Sequence, residues 1–161
     1  MIVVSNASPI IGLAAIGHLD LLKPLYGKVI IPTAVYREIS VSGAGQPGAQ
    51  ELRSLDWIET RRVTDESRCL SLEMELGRGE AEAIILAIEL KADLLLMDER
   101  RGRIVASRLG LKLVGLMGVL LEAKHRGLIP AVKPVVDDLT AKAGFRISGP
   151  LYHRVLQAAG E

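Results

Sequence analysis

Several things are scarce in this chain of 161 residues, and each scarcity closes off a class of function. Cysteine occurs once, at Cys69, so no disulfide forms within the chain and no thiolate zinc cluster can be built. A single free cysteine fits a reducing compartment, and its plainest reading is a small buried hydrophobe rather than a reactive thiol. Aromatic residues make up only 3% of the chain, which disfavours base stacking on aromatic platforms. Neither sign of charge dominates: the net charge is +1, so any contact with a polyanion must come from a local patch. Long apolar runs are also missing. The longest late one, Leu113 to Leu121, is nine residues with two glycines, and a bilayer span needs roughly 20. The start, Met1-Ile2-Val3-Val4-Ser5-Asn6, lacks the basic and apolar stretches of a secretion signal, and the expected location is cytoplasmic. No glycine-rich dinucleotide or phosphate-loop motif occurs, because position 82, where the third glycine would fall, is Glu. His18, His125 and His153 stand at no metal-ligand spacing and read as structural or surface residues.

What remains is ordinary for one folded domain over residues 1–161: 49% hydrophobic and 24% charged residues. Short β-branched or apolar runs read as buried strands: Ile2–Val4, Val29–Ile31, Ile58–Val63, Leu94–Met97 and Lys112–Val114. Between them lie helical patterns. Ser8 can cap and Pro9 can open a helix that ends near Gly17, and a short helix covers Leu19–Leu25. Others run from Pro32 through Ile39 and from about Pro47 to Leu55. The clearest is Glu80–Leu90, and Glu99–Leu109, Gly118–Arg126, Pro130–Ala143 and Gly149–Ala159 follow. Val41–Gly48 reads as a mobile loop, and within the ambiguous Thr64–Gly79 segment a helix is expected near Leu70–Leu76. Strands alternating with helices imply a parallel sheet covered on both faces, with ligands beyond the carboxyl ends of the strands. That rule points to Asn6, the turn after Ile31, Asp98 and Gly115.

Carboxylates gather at those places. Asp98 directly follows the fully apolar strand, which puts it at the crevice, although Asp also caps helices well. Asn6 holds the matching position after the first strand and, taken alone, reads as a cap or Asx-turn. Glu80 and Glu82 open the clearest helix, where the helix dipole favours acids in any case. Being two apart, they do not share a face, so one of the two points to the crevice. Glu38 lies in the helix after the second strand and by itself reads as an exposed glutamate. Together, oxygen donors on rigid elements suit Mg2+ or Mn2+, ions that activate water and neutralise charge at a phosphoryl centre. Arg100, Arg101, Arg103 and Arg108 follow Asp98. They read equally as a solvated helix face or as contacts to a nucleic-acid backbone, with Arg103 the best phosphate candidate.

The order of these motifs resembles the PIN domains, among them many ribonuclease toxins of toxin–antitoxin pairs. The matching stretches are Val3-Val4-Ser5-Asn6-Ala7-Ser8, Pro32-Thr33-Ala34-Val35-Tyr36-Arg37-Glu38-Ile39, Gly79-Glu80-Ala81-Glu82-Ala83-Ile84 and Leu96-Met97-Asp98-Glu99-Arg100. Glu80 and Asp98 stand 18 residues apart (98 − 80), the family's usual gap, which favours Glu80 over Glu82 as the third acid. The tail Gly144-Phe145-Arg146-Ile147-Ser148 also resembles one branch of the family. The resemblance covers nearly the whole chain and implies a three-layer α/β/α domain with a central parallel sheet. It implies a metal-dependent endoribonuclease in which Glu38, Glu80 and Asp98 hold Mg2+ or Mn2+, with Glu82 as alternate to Glu80. Asn6 would be a neutral ligand, Ser8 would orient the first site, and Arg100 and Arg103 would contact RNA. A homodimer and a small antitoxin protein are implied as partners. The sequence departs from the family at Asn6, where its enzymes usually carry Asp; an amide oxygen can ligate a metal but brings no charge. The alternative is a non-catalytic RNA- or protein-binding module with an impaired metal site.

Overall fold

A computed structural model describes all 161 residues. It contains five strands: β1 Val3–Ser5, β2 Val29–Pro32, β3 Ile58–Arg61, β4 Leu94–Leu96 and β5 Leu113–Val114. The helices are α1 Ala7–Ala15, α2 Leu22–Tyr26, α3 Thr33–Arg37, α4 Ala49–Ser54, α5 Glu66–Leu72, α6 Arg78–Glu89, α7 Arg100–Arg108, α8 Leu116–His125, α9 Lys133–Ala143 and α10 Gly149–Ala158. A 3-10 turn over Leu19–Leu21 precedes α2, and a π-helical turn over Glu38–Ser42 extends α3.

The strands form one all-parallel sheet in the order β3-β2-β1-β4-β5. The strands β1, β2 and β4 are nearly all apolar because both faces are covered, whereas the edge strand β3 carries Glu59, Thr60 and Arg61 toward solvent. Val3, Val29, Ile31 and Leu96 face a core filled by α1, α2, α8 and α9. Val4, Ile30, Leu95 and Met97 face a second core filled mainly by α5, α6 and α7. This is the three-layer α/β/α arrangement expected from the sequence. The chain moves outward from β1 through β2 to β3, then returns to β4 on the other side of β1. The reversal puts a crevice between the carboxyl ends of β1 and β4, where the Asn6 N–H donates to the Leu96 carbonyl at 2.9 Å.

Several local expectations shift. Asn6, not Ser8, occupies the position before α1, because its extended backbone ends the strand there; Ser8 and Pro9 lie inside the first turn. The helix expected near Leu70–Leu76 is α5, displaced toward the amino terminus because the Asp65 carboxylate accepts the Arg68 N–H and starts the helix at Glu66. The expected loop at Val41 begins as the π-helical turn. The helix expected from Pro130 starts at Lys133, and the one expected from Gly118 starts at Leu116.

The last helix is tied down at both ends. The Tyr152 hydroxyl donates to Asp137 on α9 at 2.8 Å. The Glu161 carboxylate accepts the N–H groups of Val132 and Lys133 and an ion pair from Lys124 on α8. These bonds, the two backbone ones first, hold the Glu161 carboxyl down at about 2.

Cys69 is buried on α5 in the second core, and burial pushes its thiol up to about 11, with Arg78 opposing and nearby glutamates adding to the rise. The folded protein is therefore expected to leave Cys69 unmodified by a thiol reagent at neutral pH, while the denatured chain reacts with one equivalent. Rapid labelling under native conditions would contradict this packing.

Candidate metal centre at the β1–β4 edge

The polar side chains named from the sequence reach this edge from four elements. Asn6 follows β1 and is only 4% exposed; its side chain makes no capping bond to α1. Glu38 opens the π-helical turn after α3. Glu80 sits in the first turn of α6, and Asp98 follows β4. Ser8, Glu38, Asp98, Glu99 and Arg100 line one cavity of about 540 Å³. Glu80 lines an adjoining one of the same volume, and Glu99 belongs to both.

Asp98 does not cap the helix that follows it; Glu99 occupies that position. Instead its Oδ1 accepts the N–H of Leu116 at 2.9 Å, at the start of α8, while its Oδ2 is buried with no hydrogen-bond partner. Burial pushes the Asp98 carboxyl upward; the Leu116 N–H and the Arg103 guanidinium pull it down, and Glu99 adds to the rise. Glu38 is also pushed up, first by burial and then by Glu80 and Glu99. Both groups thus hold their charge against resistance, from desolvation and from acids nearby.

Glycines make the close approaches. A Cβ on Gly79 would lie 2.9 Å from Glu38 Oε1 and 3.7 Å from Asn6 Oδ1. One on Gly77 would lie 2.5 Å from Glu80 Oε2, and one on Gly115 would lie 2.8 Å from Asp98 Oδ1. The carboxylates occupy space that side chains would otherwise fill.

Glu82, the alternate third acid, is turned away and fully engaged. It is 6% exposed; its Oε1 accepts the Ala34 N–H of α3 at 3.0 Å, and its Oε2 pairs with Arg78 at 2.6 Å. Arg78 also holds Glu66 and Glu73. Sequence reasoning separated Glu80 from Glu82 by spacing, but no one-dimensional signal indicated that Glu82 joins α6 to α3. Of the arginines, Arg103 donates to the Met97 carbonyl at 2.8 Å and lies beside Asp98, so it braces the end of β4, whereas Arg100 is exposed at the crevice. Glu99 and Arg146 also belong to the crevice and were not named as site residues from sequence. A second acid directly after Asp98 was a signal available for Glu99, and Arg146 lies in the Gly144–Ser148 tail whose likeness to the family was noted without a role.

The donor set fits a hard divalent cation. It is all oxygen, and it includes two buried oxygens without partners, Ser8 Oγ and Asp98 Oδ2, a condition native folds rarely leave unanswered. No three His, Cys, Asp or Glu side chains are gathered closely enough to hold an ion by themselves. Water would have to supply the remaining ligands of any ion held here. A family model described as a PIN domain matches residues 2–161. No curated protein matches the chain.

Two variants separate fold from site. Glu82→Ala is expected to cost on the order of 3 kcal/mol in urea denaturation, because it strips a buried amide and a buried ion pair at once. A cost under about 1 kcal/mol would show that α3 and α6 do not depend on Glu82. Gly79→Ala is expected to leave stability unchanged or raise it by up to ~1 kcal/mol, since alanine is the better helix former. The same methyl group displaces the flexible end of Glu38, so Mn2+ affinity should fall. Unchanged Mn2+ binding in Gly79→Ala would remove Glu38 from the metal centre.

Proposed function

Because the chain belongs to the PIN-domain family, whose members are generally nucleases, we propose that it is a Mg2+- or Mn2+-dependent endoribonuclease acting at the β1–β4 edge. The observation that carries this reading is the pair of buried, unpartnered oxygens of Ser8 and Asp98 in one cavity with Glu38. Glu38, Glu80 and Asp98 hold the ion, and Asn6 offers a neutral oxygen beside Gly79. When bound, the ion supplies charge neutralisation at an in-line phosphoryl centre and a more acidic water.

The chain's own residues do the rest. The Leu116 N–H fixes Asp98 by its Oδ1, leaving the buried Oδ2 without a partner. Glu38 is pushed up by burial and by Glu80 and Glu99, and a cation held beside it would relieve that repulsion. Ser8 Oγ orients the group held beside Asp98. The same reading makes RNA the substrate and the cytoplasm the location. It extends to a homodimer and to a small antitoxin protein that restrains the nuclease.

One observation favours a second reading, a module that binds RNA or protein without cutting. The residue after β1 is an uncharged asparagine, buried where an acid would strengthen cation binding. Incubating structured and unstructured RNA with Mg2+, Mn2+ or chelator is expected to show cleavage that needs the ion and is lost in Asp98→Ala. Asn6→Asp is expected to tighten Mn2+ binding in calorimetry, on the order of tenfold for each 1.4 kcal/mol gained. Cleavage that survives chelation or Asp98→Ala sinks the nuclease reading. Equal or weaker Mn2+ affinity in Asn6→Asp makes Asn6 a structural residue and favours the binding module.

A further inference from the structure

The connector between α9 and α10, residues 144–148, is the one stretch singled out in the sequence that the proposed chemistry does not use. It forms a wall of the crevice. Phe145 and Arg146 line the cavity that holds Ser8, Glu38 and Asp98, and they also line a neighbouring cavity of about 530 Å³ that holds Asp98, Arg103 and Gly115. Asp98 thus has this pair of residues on both of its open sides.

The backbone explains how they get there. Gly144 ends α9 at φ +67, a left-handed conformation that glycine adopts without strain. The Phe145 N–H then bonds back to the Leu139 carbonyl at 3.0 Å, and the Phe145 ring packs against the first core. With Phe145 turned inward, Arg146 is exposed. The Ser148 hydroxyl accepts the Leu151 N–H and starts α10, closing the connector after five residues. The bonds from Tyr152 and Glu161 hold α10 in place behind it.

Arg146 makes no ion pair and no hydrogen bond, although Glu38, Asp98 and Glu99 line the same cavity. Arg103, by contrast, is committed to the Met97 carbonyl. A free guanidinium on a tied-down connector beside an acidic crevice has the geometry of a phosphate fork. We propose that Arg146 grips a backbone phosphate of single-stranded RNA lying along the crevice of Ser8, Glu38 and Asp98, with the Gly144–Ser148 connector as its rigid mount. The substrate class rests on the ribonuclease reading; the placement of Arg146 does not.

The test is binding of a short fluorescent single-stranded RNA across a series of salt concentrations, with Mg2+ and with chelator. It compares the wild type, Arg146→Ala, Arg146→Lys and Arg108→Ala. Arg108 is an equally exposed arginine at the far end of α7 and controls for net charge. Arg146→Ala is expected to bind roughly tenfold more weakly, with the salt slope reduced by about 0.7 for one lost phosphate contact. Arg146→Lys should regain the slope but not the full affinity, because it restores the charge without the fork. Arg108→Ala should bind like the wild type. The Mn2+-induced rise in melting temperature should persist in Arg146→Ala, which excludes damage to the fold or the metal centre. Unchanged RNA affinity in Arg146→Ala, an equal loss in Arg108→Ala, or no RNA binding by the wild type overturns the proposal. If the affinities change as expected while no RNA is cut, Arg146 stands and the nuclease reading falls. If the wild type cuts RNA and Arg146→Ala binds it normally, the nuclease reading stands and the role of Arg146 falls.

Discussion

A buried glutamate holds this site in register. Glu82, on α6, accepts the Ala34 N–H in the first turn of α3, and Arg78 on the same helix α6 neutralises it. Two acids depend on that junction: Glu38, on the turn that continues α3, and Glu80, two residues before Glu82. Left alone, Glu38 and Glu80 repel each other and both would drift toward solvent. A charge with 6% exposure is costly unless it is paired and hydrogen-bonded. Here it is both, and Arg78 spreads the pairing over two further glutamates. The carboxylates of the crevice are close to one another because a different carboxylate holds their helices together.

The fold was legible because parallel sheets leave a plain signature. Strands covered on both faces must be apolar at every position, and Leu94-Leu95-Leu96-Met97 can be little else. Asp98, at the end of that strand, follows directly. The errors arose where a specific hydrogen bond decided an element's end. Asp65 moved α5 toward the amino terminus. The Asn6 N–H, bonded to the Leu96 carbonyl of β4, holds Asn6 extended just past β1, so that α1 starts before Ser8. Asp98 serves the amide of Leu116, 18 residues on, rather than its own helix. Spacing correctly preferred Glu80 to Glu82 but could not show why Glu82 matters. The tail around Arg146 stood out in the sequence, but its place at the crevice did not, since that depends on α10 docking against α9.

Small residues complete the site in a way composition does not reveal. Gly77, Gly79 and Gly115 each stand where a methyl group would press on a carboxylate oxygen. Their φ angles are ordinary, so their role is to leave room and not to make a turn. Close backbone approach leaves room for Glu38, Glu80 and Asp98 at two adjoining cavities of the same edge. The result is an open, acidic, all-oxygen surface, suited to an ion that keeps most of its water.

The strand order also has a consequence for the newborn chain. β1 is the central strand and precedes the other four in the chain, yet its partner β4 lies about ninety residues later, with Val3 opposite Leu94. Until β4 emerges, one edge of this fully buried strand stays unpaired, a state that invites chaperone capture or aggregation. The crevice is assembled later still. Asn6 is made first, Asp98 follows 92 residues later (98 − 6), and Arg146 a further 48 residues on (146 − 98). A partly translated chain that lacks Asp98 or Arg146 therefore cannot hold the complete crevice. On the nuclease reading, a ribosome still adding the residues between Asn6 and Asp98 is spared its activity.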